Sequence, residues 1–306
     1  MMRKRIGRRT GLRAKALFVT ASLVASLAVL AVASPAMATP KGEFAVFADC
    51  PLTAPGNVNC FYAKTESGEF TIGKKTVPIV NPQILQGGLK ETEVAPFVEF
   101  VAAKDGNTLS KTPQKVPGGL SGLVNCTEIK GSGLIEKALR ASCEGIFENG
   151  LTGVNATVEL AGPAKSIEVN LAALLSQSGT ALGLPAKVHL ENPLLGSSCY
   201  IGSNSAPVVI GLTTGTTSPP APNKPITGAV GEVGFTESGI LQVKNNKLVN
   251  NSFAAPGTNG CGGIFEFLLG PIINSQLGVP SAAGHNTAIL IGSQQLANAE
   301  NVKAHE

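Results

Sequence analysis

The chain has 306 residues, with 24 basic and 20 acidic side chains, six cysteines, no tryptophan and two tyrosines. Seven of the bases lie in residues 3–15, so the rest of the chain carries 17 bases against 20 acids and a single arginine, Arg140. Phosphate and nucleic-acid recognition rely on clustered Lys and Arg, which argues against a nucleic-acid partner, and the scarcity of aromatic platforms argues against carbohydrate binding and glycosidase chemistry.

Arg3, Lys4, Arg5, Arg8, Arg9, Arg13 and Lys15 precede an almost wholly apolar run, Ala16 to Ala33, and Ala36-Met37-Ala38 follows. A basic region, an apolar region and a small-x-small site read as a secretory signal peptide over residues 1–38, cut after Ala38. Residues 39–306 are the expected mature region, with no transmembrane segment remaining after cleavage. The C-terminal NVKAHE is polar, so export is expected to end in release or in association with the envelope.

Beyond residue 38, short apolar runs alternate with turn residues. This predicts a mainly β fold, an antiparallel sandwich or barrel-like arrangement with one or two short helices. In chain order, 42–51 reads as a strand, and 61–80 as strands broken by a turn at Ser67-Gly68. A strand is expected over 91–103, and a helix over 132–148, which Asn149-Gly150 stops. The alternation in 165–171 puts Ile167, Val169 and Leu171 on one strand face. In 187–191, Val188 and Leu190 point one way and Lys187, His189 and Glu191 the other. Further strands are expected at 207–212, 239–243, 247–253 and 287–292. The apolar stretch 263–277 reads as a helix that Pro271 kinks or splits. The Thr/Ser/Pro-rich segment 213–225 is a candidate linker that would divide the region into 39–212 and 226–306.

Six cysteines in an exported chain argue for three disulfides. The expected pairing is sequential: Cys50 with Cys60, Cys126 with Cys143, and Cys199 with Cys261. The last bridge would close across 213–225 and make that segment a surface loop of one unit.

Chemistry is hard to find. The histidines are His189, His285 and His305. His285 lies four residues after Ser281, but no G-x-S-x-G elbow exists, and Gly284-His285-Asn286 reads as a turn into the last strand. His189 is assigned to the polar face of a strand, and His305 to a disordered terminus. Calcium loops need clustered carboxylates, and the only aspartates are Asp49 and Asp105. Glu91 and Glu93 would share one solvated strand face. Zinc would need His or free Cys, both scarce. No catalytic, cofactor-binding or metal residue is therefore assigned, and no cofactor is expected. The apolar run Ile264 to Ile273 is too short to span a bilayer and reads as a helix over the β core, or as the cover of an apolar pocket.

The segments LENPLLGSSCYIGSNSAPVVIGLTTGTTSPP (190–220) and NNKLVNNSFAAPGTNGCGGIFEFLLGPIINSQLGVPSAAGHNTAIL (245–290) carry motifs of the NPLLGSSCYIG and GVPSAAGHNTAIL type around Cys199 and Cys261. They resemble a module found in uncharacterised exported proteins of actinobacteria. The resemblance implies an exported bacterial protein with cystines and transfers no site residue.

The expected role is that of a secreted, non-enzymatic structural or interaction protein of the envelope or extracellular space. The first alternative is a carrier of a lipid or other apolar small molecule. The second is a serine-type hydrolase using His285.

Overall fold

In the computed structural model, residues 39–93, 98–122, 126–148 and 153–306 are described. The expected signal segment and its cleavage site lie outside them. The described residues belong to one compact unit, Ala38–Glu306. Its strands are β1 (Asn57–Ile72), β2 (Lys75–Ile79), β3 (Gln83–Glu91), β4 (Val98–Ala102), β5 (Gln114–Lys115), β6 (Asn155–Leu160) and β7 (Glu168–Val169). They continue with β8 (Leu182–Glu191), β9 (Tyr200–Ile201), β10 (Val208–Leu212), β11 (Glu232–Phe235), β12 (Leu241–Asn250), β13 (Thr258–Asn259) and β14 (Thr287–Asn298). The helices are α1 (Leu134–Glu148), α2 (Leu171–Ser176), α3 (Glu266–Leu277) and α4 (Ala299–Ala304).

The strands form two antiparallel sheets. The first runs β11-β12-β14-β1-β3-β4, with β2 pairing the second half of β1. The second runs β13-β9-β8-β6-β5, with β10 and β7 pairing the first half of β8. The mainly β, disulfide-linked class expected from the sequence is the one observed.

Strand β1 organises the first sheet. Its 16 residues run straight through Ser67-Gly68, where a turn was expected, and the turn falls instead at Gly73-Lys74. A register shift against β14 between Thr65 and Ser67 absorbs the irregularity as a bulge. The glycine belongs to the sheet: Gly68 has φ +131°, and a Cβ there would lie 1.9 Å from the Ile289 carbonyl oxygen. Similarly, the strands expected at 239–243 and 247–253 are joined in β12. A second register shift between Val243 and Asn246 carries the chain across, with Asn245 in the left-handed region at φ +55°, which Asn tolerates.

Two other strand expectations fail. Residues 42–47 form a 3₁₀ helix, because Phe44 and Phe47, three apart, are both buried. In 165–171 only Glu168–Val169 pairs as strand, and Asn170 caps α2 by accepting from the Ala173 N–H at 2.9 Å. The expected 91–103 strand is the end of β3 plus β4; residues 94–97 are outside the described set. Helix α1 forms as expected, held to the preceding segment by Cys126–Cys143 and by Arg140, which donates to the Ile129 carbonyl.

The inner faces of the sheets meet in one core. Phe61 and Phe100 of the first sheet pack edge to face at 5.7 Å, opposite Leu184, Leu190 and Ile210 of the second. Helix α3 closes one end with Leu269, Ile273 and Leu277, and Pro271 lies within it without splitting it. A smaller cluster joins Phe44, Phe47, Ile240, Ala297 and Val302 around the Cys50–Cys60 bridge. His305 is part of that region, not a loose terminus: its ring stacks on Phe44 at 4.2 Å and its Nδ1 lies 2.7 Å from the Asn301 carbonyl.

The six cysteines form Cys50–Cys60, Cys126–Cys143 and Cys199–Cys261. The last closes across 213–225, a segment that packs closely. Thr213 and Val249 exchange backbone hydrogen bonds at 2.9 and 2.8 Å, and Asn223 Nδ2 donates to the carbonyls of Asn251 and Asn286 at 2.9 Å each. Among the described residues, no helix is long and apolar enough to cross a membrane.

Candidate functional site

Two features of the sandwich set themselves apart: a pair of apolar cavities between the sheets, and a polar cluster on the outer face of the second sheet.

The first cavity arises where small side chains of one sheet face branched ones of the other. On β1 and β2, Phe70, Ile72, Val77 and Ile79 form one wall. Ala156 and Val158 of β6, Ala186, Val188 and Leu190 of β8, and Val208 and Ile210 of β10 form the other, with Leu277 of α3 at the end. The space is about 60 Å³, and fourteen of its sixteen lining residues are apolar. The exceptions are Lys75 and Gln114. A second space of about 50 Å³ lies beside it, walled by Ala63, Leu85, Leu182, Leu184, Leu248 and Leu290, with polar groups including Gln83, Asn246 and Gln294. Phe70, Ile79 and Val158 line both, so they form the partition between them. Close-packed interiors leave few voids larger than a water, and each of these exceeds the 10–15 Å³ or so that one water needs.

The polar cluster follows from strand alternation. The inward residues of β8 include Val188 and Leu190, which turns Lys187, His189 and Glu191 outward, as the sequence predicts. Register then brings neighbours that alternation within one strand cannot show. Glu159 stands opposite Lys187, Thr157 opposite His189 across β6, and Tyr200 opposite His189 across β9. The His189 ring stacks on Tyr200 at 4.5 Å, and the Lys187 ammonium lies 4.8 Å from the centre of the same ring. His189 Nδ1 is 3.5 Å from Glu191 and 3.9 Å from Glu159, ion-pair distances beyond hydrogen-bond range. Lys187 lies 3.8 Å from Glu159, and Thr157 Oγ1 donates to Glu191 at 3.1 Å. His189 Nε2 is shut from solvent without a hydrogen-bond partner. Burial, and then the charges of Glu159 and Glu191, push the Tyr200 phenol above its ordinary pKa, so it stays protonated at neutral pH. His189 and Glu191 border an open groove of about 510 Å³ that continues past Asn192 and Ser197.

This cluster supplies charge and a shielded imidazole edge, and neither of its hydroxyls is activated as a nucleophile: Thr157 donates to a carboxylate, and the Tyr200 phenol is held above its ordinary pKa. Among the described residues, no group of three or more His, Cys, Asp or Glu is placed to hold a metal ion.

The other residues singled out from the sequence are dispersed. Ser281 and His285 are not brought together. The Ser281 hydroxyl is buried and donates to Asn286 Oδ1 at 2.6 Å, whereas His285 is exposed in the turn after Gly284. Asn286 anchors that turn: it also accepts from the Gly73 N–H at 2.9 Å and donates to the Phe253 carbonyl at 2.8 Å. Glu91 and Glu93 are exposed. In the apolar run, Leu269 and Ile273 face the core, while Ile264 and Phe267 are 85% and 67% exposed.

Sequence reasoning missed the partners of His189. The only signal for them was the alternation in NATVEL (155–160), which places Thr157 and Glu159 on one face. Compared with protein-family models, curated proteins and solved structures, the chain matches none.

Proposed function

We propose that this is an exported, non-enzymatic binding protein that holds a small apolar molecule between its two sheets. One observation carries the reading: two adjacent, apolar-walled spaces of about 60 and 50 Å³, with Phe70, Ile79 and Val158 as the partition between them. Residual voids cost about 24 cal/mol per Å³, on the order of 1.4 kcal/mol for the larger space alone. A sandwich that served only as a scaffold would gain stability from larger residues at Ala156 and Ala186. A dry cavity of about 150 Å³ holds a benzene, and the two spaces together come to about 110 Å³, which favours a short-chain ligand of about four carbons. Export is supported by the basic-then-apolar leader, the three disulfides and the resemblance to exported actinobacterial proteins.

A second reading, a surface-interaction role at the envelope, is favoured by the exposed Ile264 and Phe267 on one side of α3 and its leading turn. Titration with butan-1-ol, followed by methyl NMR, separates the two. Saturable shifts centred on Val77, Val188 and Ile210 support cavity binding, whereas shifts confined to Ile264 and its surroundings, or none at all, reject it.

A further inference from the structure

The first cavity carries a feature that an apolar molecule alone does not need. Strand β2 alternates, with Lys75, Val77 and Ile79 facing the second sheet and Thr76 and Pro78 exposed. Lys75 therefore holds an inward position, and among the described residues it is the only charged one lining the cavity. The other polar lining residue is committed elsewhere: Gln114 Oε1 accepts from the N–H groups of Val80 and Asn81 at 2.9 and 3.0 Å, and its Nε2 donates to the Asn81 carbonyl at 2.7 Å. Neighbouring lysines have partners. Lys74 Nζ donates to the Ser275 carbonyl at 3.0 Å, and Lys64 Nζ pairs with Glu66 at 3.0 Å. Among the described residues, no hydrogen bond or ion pair engages the Lys75 ammonium, and no acid lines the cavity with it.

Resting on the binding reading above, we propose that the ligand is an anionic amphiphile, a short-chain carboxylate. Its head pairs with Lys75 and its tail lies against Phe70, Val77 and Val188. Strand β2 pairs only with β1, so Lys75 sits at a sheet edge and is half-exposed. There the aliphatic stem extends the apolar wall while the ammonium stays near water. A carboxylate bound at that point keeps part of its hydration and avoids the full cost of burying an ion. An inward lysine can also discourage edge-to-edge pairing, but β2 already carries Pro78, which has no N–H to offer a partner strand.

The test compares butanoate with butan-1-ol, equal in chain length and different in charge, by NMR titration of the oxidised protein. The expected result is at least a tenfold tighter Kd for butanoate, falling below twofold in Lys75→Met with butan-1-ol affinity unchanged. Equal affinity of the wild type for both ligands overturns the role of Lys75 and leaves the cavity reading intact. Binding of neither ligand overturns the cavity reading itself. Should Lys75→Met fail to fold, butanoate labelled with ¹³C at the carboxyl answers the question on wild-type protein: its bound pKa falls below that of the free acid if Lys75 pairs with it, and an unshifted value refutes the pairing.

Discussion

Replacing Ala186 by valine tests whether the inter-sheet space exists and whether it binds anything. Ala186 is almost fully buried, on the same face of β8 as Leu184, Val188 and Leu190, and it lines the larger cavity. Two added methyl groups, at about 0.8 kcal/mol per buried carbon, would gain up to about 1.6 kcal/mol if they enter empty space without strain. The void of about 60 Å³ sets a similar ceiling, on the order of 1.4 kcal/mol. The expected outcome is a stabilisation of about 1 kcal/mol or slightly more, a rise in Tm of about 2–5 °C for a domain of this size. It should be accompanied by at least a tenfold loss of butan-1-ol affinity. Calorimetry on the oxidised protein gives the first number and methyl NMR the second. A fall in stability of about 1 kcal/mol or more would be the mark of overpacking and would refute the cavity. A rise in Tm with unchanged ligand affinity would place binding elsewhere.

Asn286→Ala should cost about 2–4 kcal/mol in urea unfolding, because it leaves the Gly73 N–H and the Phe253 carbonyl without their buried partner, whereas exposed His285→Ala should change stability by less than about 0.5 kcal/mol. Removing Cys199–Cys261, with a sequence separation of 62, should cost about 4 kcal/mol on chain-entropy grounds. Removing Cys50–Cys60, with a separation of 10, should cost about 2.7 kcal/mol, and paired Cys→Ala variants give the comparison. Both tyrosines, Tyr62 and Tyr200, have phenols raised above the ordinary value, chiefly by burial. The folded state therefore holds these protons more tightly than the unfolded state. Their contribution is complete below the unfolded pKa of about 10 and is lost as pH rises through the folded values. With no tryptophan in the chain, phenolate absorbance should appear at higher pH in folded than in urea-unfolded protein, and Tyr200→Phe should remove part of the difference; coincident curves would contradict the assignment.

What the sequence made legible was periodic and local. The alternation of 187–191 correctly turned Lys187, His189 and Glu191 away from Val188 and Leu190, and the apolar 263–277 run correctly became a helix over the core. Errors came where a residue type has two uses. Gly68 reads as a turn former, yet its lack of a Cβ serves the close approach of β14. The gap 244–246 between two expected strands is instead a bulge inside one strand. The aromatics of 42–47 suit a strand by propensity, but their spacing of three suits a 3₁₀ turn. The candidate site was illegible for a different reason. A cavity is the difference between volumes contributed by distant strands, and Ala156 or Ala186 looks ordinary in its own segment. Lys75 likewise falls inside the 61–80 stretch read as strand with no face assigned to it, and only the pairing of β2 with β1 shows that it points inward.

The paired backbone bonds between Thr213 and Val249 make the two sheets mechanically unequal at their sides. Along that flank, β10 of one sheet and β12 of the other share a hydrogen-bonded seam, so parting them means breaking backbone bonds. On the opposite flank β2 pairs only with β1, and the chain just after it is tied across by side chains: Gln114 accepts from the N–H groups of Val80 and Asn81, and Asn81 Nδ2 donates to the Pro113 carbonyl. Thermal breathing of the sandwich is therefore one-sided, like a book opening from its spine. Amide hydrogens of β2 should exchange with solvent well before those of Thr213 and Val249, and Gln114→Ala should widen that gap in rate without loosening the seam.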